Sequence, residues 1–314
     1  MISIIVVSYN EKEYLRRCIE SCISQSYNDI EIIVGDDGSD DGSIEELRNI
    51  GSELGGVLRY FVNDRPEDTS NIIPSIRVSN TIKKALSLSK GEYIQIISAD
   101  DYFCDNDKFK KAIGYLDENP SYVAYATGYK NSDDSKEHCF LEKSRALYWS
   151  GDYIHISCFI FRRAVEDYLL DRICDDSGLV YSLACYGKWY ISNDISFVYF
   201  QRPGSIMHKA DLNILHLLEI ILYQDILNYK KGNTRLLIAS YSRFYYAYKQ
   251  LAKNYLDLKD NDIYQRYISC SAEKNNDMIS KIIEYEKNRT YVFFEISKMC
   301  VVNHLLKIFR KREV

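Results

Sequence analysis

The sequence predicts a doubly wound α/β sheet followed by an α-helical appendage. Short β-branched runs alternate with amphipathic stretches through the first hundred residues, which is the pattern of parallel strands joined by crossover helices. Two of those runs end abruptly in paired acids, Asp36-Asp37 and Asp100-Asp101. From Asp211 onward the pattern turns helical.

Ile2 to Tyr9 is β-branched enough for a central parallel strand, with Asn10 as turn or cap residue. A helix follows from about Glu11 to Ser26, where Tyr14, Leu15, Cys18, Ile19, Cys22 and Ile23 recur at three- and four-residue spacing. Ile30 to Gly35 is the second strand, ended by the acid- and glycine-rich turn 36–43, and a helix runs from Ser43 to Leu54. Leu58 to Val62 is a third strand, 64–74 is polar and reads as a loop, and Ile76 to Ser89 reads as a helix. Tyr93 to Ile97 is the fourth strand, and Val123 to Ala126 a further one after the Asn119-Pro120 turn. Phe197 to Phe200 closes the domain as a strand before Pro203-Gly204. The domain is expected to cover 1–208, with a helical region over 209–314.

The bulk numbers narrow the function. With 46% hydrophobic and 27% charged residues over 314 positions, the chain can bury a full core. A net charge of −5 argues against a nucleic-acid binder, whose footprint would be basic. Nine scattered cysteines read as free thiols in a reducing compartment. No secretory signal precedes the first strand and no run is apolar and long enough to span a membrane, so a cytoplasmic protein is expected. Its 28 tyrosines, crowded in the last third, suit half-buried or interfacial surfaces.

Two carboxylates at the C-terminal end of a buried strand are expensive unless a cation sits between them, and Mg²⁺ or Mn²⁺ characteristically holds substrate phosphates against one or two carboxylates. The competing reading of Asp100 and Asp101 is a helix N-cap ahead of Lys108 to Ile113.

Val7-Ser8-Tyr9-Asn10, then Val34-Gly35-Asp36-Asp37-Gly38-Ser39, then Gly91-Glu92-Tyr93-Ile94 running into Ala99-Asp100-Asp101 together resemble the family 2 glycosyltransferases of the GT-A fold. The likeness covers roughly Met1 to His208. It implies a GT-A mixed sheet in which Tyr9 packs on the nucleotide base and Asp37 accepts from the base N3–H, with Arg77 reaching the nucleotide or its phosphates. Asp100 and Asp101 become the acids of the metal motif, one toward ribose or sugar and the other on Mn²⁺ or Mg²⁺. The family pattern is Asp-x-Asp, and Ser98 stands where the first acid belongs. The residue-level alternatives are an Asx-turn for Asp37 and a solvated helix charge for Arg77.

The resemblance extends to Cys174-Asp175-Asp176-Ser177-Gly178-Leu179 and on to Gly187-Lys188. It makes Asp176 the base that deprotonates the acceptor hydroxyl in an inverting transfer, with Asp175 replacing the usual Glu. Read alone, Asp176 is equally an N-cap. The resemblance also gives Arg202 a place facing phosphate or acceptor, and His208 one against pyrophosphate. His155 could touch acceptor or phosphate, against the reading of a satisfied, half-buried histidine.

The last helix closes with Lys307, Arg310, Lys311 and Arg312, which suits an anionic membrane surface, a neighbouring helix or a second copy of the chain. The expected activity is hexose transfer from a UDP-linked donor to a hydroxyl of a lipid-linked or growing surface glycan, at the inner face of the membrane. The alternative is a non-catalytic scaffold acting through the tyrosine-rich helices. A nicotinamide oxidoreductase would need a glycine fingerprint after the first strand, and Ser8-Tyr9-Asn10-Glu11 has none.

Overall fold

The computed structural model describes residues 1–65, 74–139, 155–165, 183 and 186–202. The expectations for Asp175, Asp176, His208 and the region 209–314 lie outside these residues. Its elements, in chain order, are β1 (Ile2–Ser8), α1 (Lys12–Ile23), β2 (Ile30–Asp36), α2 (Ser43–Leu54), β3 (Leu58–Val62), α3 (Pro74–Leu88), β4 (Tyr93–Ser98), β5 (Tyr102–Phe103), α4 (Lys108–Glu118), β6 (Tyr122–Asn131), β7 (Glu137–His138), β8 (Phe159–Arg162) and β9 (Lys188–Tyr199). All strands join one mixed sheet of order β3-β2-β1-β4-β8-β6-β9-β5, with β7 on the side of β6.

The first half is the parallel sheet that the strand–helix alternation predicts. β3, β2, β1 and β4 are parallel, with Ile2 to Ser8 facing Ile30 to Asp36 on one side and Tyr93 onward on the other. β1 is buried almost throughout, as a strand covered on both faces must be. That arrangement sends the C-terminal ends of β1, β2 and β4 to one edge, where both acidic pairs sit. At the opposite edge, Gly91 passes so close to β1 that a Cβ would lie 2.5 Å from the Ser3 nitrogen. Buried Glu31 ties that edge together, accepting from Ser3 Oγ (2.5 Å) and from the backbone N–H groups of Lys90 and Gly91.

The second half departs from the simple pattern. β8 runs antiparallel to both β4 and β6, whereas β9 runs parallel to β6. The expected strand at 197–200 is the end of a much longer one. Ser192-Asn193-Asp194 resembles a turn, but these residues form an irregularity inside β9, where Ala126–Gly128 on β6 oppose Ile191–Ile195. Gly128 accommodates it, since a Cβ there would fall 2.6 Å from the His138 carbonyl oxygen. Gly187 N–H closes a helical turn onto the Leu183 carbonyl (3.1 Å), and Lys188 then opens β9.

Two helix limits also move. α1 stops at Ile23 instead of Ser26, and Glu11 lies just before it, its carbonyl accepting from Tyr14 and Leu15 N–H. α3 starts at Pro74, two residues earlier than expected, because a proline at the first helical position gives up no intrahelical bond.

Lys108, at the start of α4, is 1% exposed. Its Nζ donates to the Ser157 carbonyl (2.7 Å) and lies 4.8 Å from the Phe103 ring centroid. Burial pulls its ammonium down to about 7, outweighing the opposite pull of Cys158, Cys104, Cys22 and Asp105. An unfolded lysine keeps its proton to about pH 10.4. Between those values the folded chain binds fewer protons than the unfolded chain, so stability rises with pH across the window and is lost again as pH falls toward 7. The expected gain from pH 7 to 9 is about 2–3 kcal/mol. Urea unfolding of wild type and Lys108→Met at both pH values checks this, because the variant should lose the slope; an equal slope in both proteins overturns it.

Candidate active site

The first acidic loop is built by short-range bonding between the turns after β1 and β2. Asn10 takes a left-handed φ of 53°, which asparagine tolerates. It exchanges side-chain bonds with Asp40 (2.9 and 3.0 Å), and its N–H donates to Ser39 Oγ (2.9 Å). Asp36 is fully buried and accepts from both the N–H and the Oγ of Ser39 at 2.8 and 2.7 Å. The local side-chain-to-backbone bond considered for Asp37 is made instead by Asp36, to the residue three positions on.

Asp37 is left to face Arg77 of α3. The guanidinium grips the carboxylate with both prongs, Nε to Oδ2 at 2.5 Å and Nη2 to Oδ1 at 2.8 Å, and each residue is 8% exposed. Arg77 is thus no solvated helix charge. Its fork is engaged by Asp37 and orients that carboxylate. Arg65, in the loop after β3, lies with its guanidinium 3.7 Å from the Tyr9 ring centroid and its Nη1 3.7 Å from Asp37 Oδ2. Tyr9, Asp37, Arg65 and Arg77 make one cluster of aromatic, acid and cation.

The second acidic loop follows β4. Ala99 N–H donates to the Val7 carbonyl (2.9 Å), which holds the loop beside the end of β1. Neither Asp100 nor Asp101 caps α4, whose N-cap position is Asp107. Asp101 is fully buried, and its Oδ1 accepts from the backbone N–H of Phe200 (2.9 Å). Asp100 pairs with Arg202, Nε to Oδ2 at 2.9 Å, and the same guanidinium reaches Glu11 Oε1 through Nη2 at 2.5 Å. Register explains the meeting, since β9 pairs Val198 with Tyr102 of β5 and so brings Phe200 and Arg202 alongside the acids. Arg17 of α1 locks the other side. It donates to the Asp100 carbonyl (2.9 Å) and lies 4.3 Å from the Tyr102 ring centroid and 4.6 Å from that of Phe200.

Burial, and next the nearness of Asp100, raise Glu11 well above the ordinary carboxylate range, while Arg202 opposes them. For Arg202, burial pulls downward, but Glu11 and Asp100 outweigh it and hold the guanidinium protonated more firmly. His155 is 9% exposed, its Nδ1 accepts from Ser157 N–H (3.3 Å), and its ring lies 5.1 Å from that of Tyr199.

Glu11, Arg17 and Arg65 were not singled out from the sequence. Glu11 adjoins Asn10 in the turn after β1, which was the available signal, but it reads as the first residue of a helix. Among the described residues, no group of three or more His, Cys, Asp or Glu side chains is placed to hold a metal ion by itself. Asp100 and Glu11 supply two carboxylates at most. That donor set fits an ion completed by substrate oxygens, as hard divalent ions on nucleotides are.

Residues 3–170, more than half of the chain, match the family described as glycosyl transferase family 2. The chain belongs to that family. An uncharacterized glycosyltransferase of Haemophilus influenzae is 36% identical to this family 2 chain over 121 residues, which is 38% of this chain and 43% of the relative. The chain spans 43% and 61% of the lengths of the first curated relatives it matches. Among solved structures, S. aureus TarS in complex with UDP-GlcNAc superposes with a TM-score of 0.60 at 16% identity, covering 84% of this chain and 77% of that one. The mannosyltransferase PcManGT of Pyrobaculum calidifontis, in complex with GDP-Man and Mn²⁺, gives 0.56 at 16% identity over 99% and 87%. These likenesses confirm the GT-A fold that the family match implies.

Proposed function

We propose that this transferase moves a hexose, with inversion, from a UDP-linked donor to a hydroxyl of a lipid-linked or growing surface glycan. The observation that carries the donor reading is the Asp37–Arg77 pair beside Tyr9, at the same sheet edge as Asp100. Uracil offers one N–H between two carbonyls. Asp37, fixed by Arg77, accepts that N–H while the Tyr9 ring covers the base face, and Arg65 moves off the ring to admit it. TarS is described with UDP-GlcNAc, which supports a nucleotide-sugar donor of this class here.

Asp100 and its neighbours hold Mn²⁺ or Mg²⁺, which supplies positive charge to the departing nucleoside diphosphate. Arg202 and His208 face the same diphosphate. Asp176 takes the proton from the acceptor hydroxyl as it attacks the anomeric carbon. The helical region 209–314 contacts the acceptor, a membrane surface or a second chain.

Thermal unfolding with UDP, GDP and dTDP, each with and without MnCl₂, tests the donor. A ligand that binds only the folded chain stabilises it by mass action, by about 2.7 kcal/mol at a hundredfold excess over Kd, and so raises the midpoint. UDP with Mn²⁺ is expected to give the largest rise. A larger rise with GDP or dTDP would replace the donor, and no rise with any of them would overturn the reading.

A further inference from the structure

Glu11, in the turn after β1, is a buried carboxylate beside the second acidic loop for which the proposed chemistry has no use. Its side chain is 6% exposed, against 12% for Asp100 and 22% for Arg202. One oxygen meets Arg202, and the other, Oε2, is buried without a well-formed hydrogen bond, the Tyr9 backbone N–H being the further group that favours the carboxylate. A buried carboxylate oxygen left so poorly matched is costly, and few native structures keep one without a reason.

The geometry around Arg202 supplies the reason. Its Nε and Nη2 hydrogens lie along one edge of the guanidinium, the edge that normally grips a single carboxylate. Here that edge is divided between Glu11 Oε1 and Asp100 Oδ2, so oxygens from two residues 89 positions apart converge on one cationic point. Two negative groups share one positive charge, and the poorly matched Oε2 marks the shortfall. Arg17, a further cation beside the loop, uses its Nη2 on the Asp100 carbonyl. A divalent cation satisfies the same two carboxylates more completely than a guanidinium does, because two carboxylates need two positive charges and hard ions prefer carboxylate oxygen.

We propose that Glu11 and Asp100 together form the cation site of this transferase, filled by Arg202 in the donor-free chain and by a divalent ion when the nucleotide sugar binds. This rests on the donor reading above and adds Glu11 to it as a ligand. Ser98 occupies the place of the first acid of the usual motif, and Glu11, from the turn after β1, restores the missing carboxylate. Exchange frees Arg202 to face the diphosphate, so metal, nucleotide and the segment after β9 engage together. Free metal must compete with a built-in cation, and its affinity is low until a nucleotide draws Arg202 away.

The test is Mn²⁺ binding to the full chain without nucleotide, followed by the loss of free Mn²⁺ signal in electron paramagnetic resonance. Arg202→Gln removes the competing charge and should tighten Mn²⁺ at least tenfold relative to wild type. Glu11→Gln in the Arg202→Gln background should cancel that gain. Arg202→Lys keeps one charge but cannot divide it between two carboxylates, and should fall between wild type and Arg202→Gln. It also provides the readout should Arg202→Gln fail to fold. Equal Mn²⁺ affinity in wild type and both Arg202 variants, or a gain that survives Glu11→Gln, would overturn the proposal. UDP affinity of wild type, measured separately, tests the donor reading: a failure there with a tenfold gain in Arg202→Gln condemns the nucleotide and leaves the cation site standing.

Discussion

Replacing Asp37 by leucine is expected to lower stability by about 3–5 kcal/mol and to abolish nucleotide binding. The reason is the partner left behind. Arg77 is 8% exposed and gives Asp37 both prongs of its fork, so removing the acid strands a buried cation. Breaking a buried ion pair from one side costs about that much, whereas replacing both members by apolar groups of similar size is often neutral. Arg65, 3.7 Å from Asp37 and 28% exposed, compensates only through partly screened charge. The single variants Asp37→Leu and Arg77→Leu should therefore each unfold at lower denaturant, and the double variant should recover much of the loss. Recognition should not recover with it, because the acceptor for the base is gone. Urea midpoints and UDP affinities on the three variants separate the two effects. A double variant as unstable as the singles would remove the ion pair as the cause, and one that binds UDP normally would remove Asp37 from the base site.

Asp176→Asn is expected to lower kcat by about 10²–10⁴ while leaving UDP affinity within about twofold of wild type. An amide of the same shape cannot take the acceptor proton, and a base acts on the chemical step, not on donor binding. Equal loss of donor affinity would point to a structural N-cap instead. If transfer survives in Asp176→Asn and is lost in Asp175→Asn, the base is the neighbouring acid.

How far the sequence carried depends on the range of the interaction concerned. The parallel half was legible because its signals are local. β1 to β4 are β-branched runs, α1 and α2 are amphipathic, and the acids that end β2 and β4 stand next to the apolar residues that place them. The order of three motifs was enough to recognise the family. Of β9 only the end, 197–200, was legible; Ser192-Asn193-Asp194 has the composition of a turn, and only pairing along β6 keeps those residues in a strand. Arg77 illustrates the same limit. Its type suited a phosphate, but its position on α3 sets it against Asp37, forty residues away.

The sequence alone determined the alternating α/β architecture, the edge that would carry the acids and the family to which the chain belongs, because each is written in neighbouring residues. Tertiary structure alone decided which charges meet. Arg202 reaches Asp100 across 102 positions and Glu11 across 191, and both meetings follow from the antiparallel register of β5 on β9. No periodicity or motif encodes such an encounter, because the energy that selects it is the cost of burying carboxylates without a cation, and that cost exists only after the sheet has closed around them.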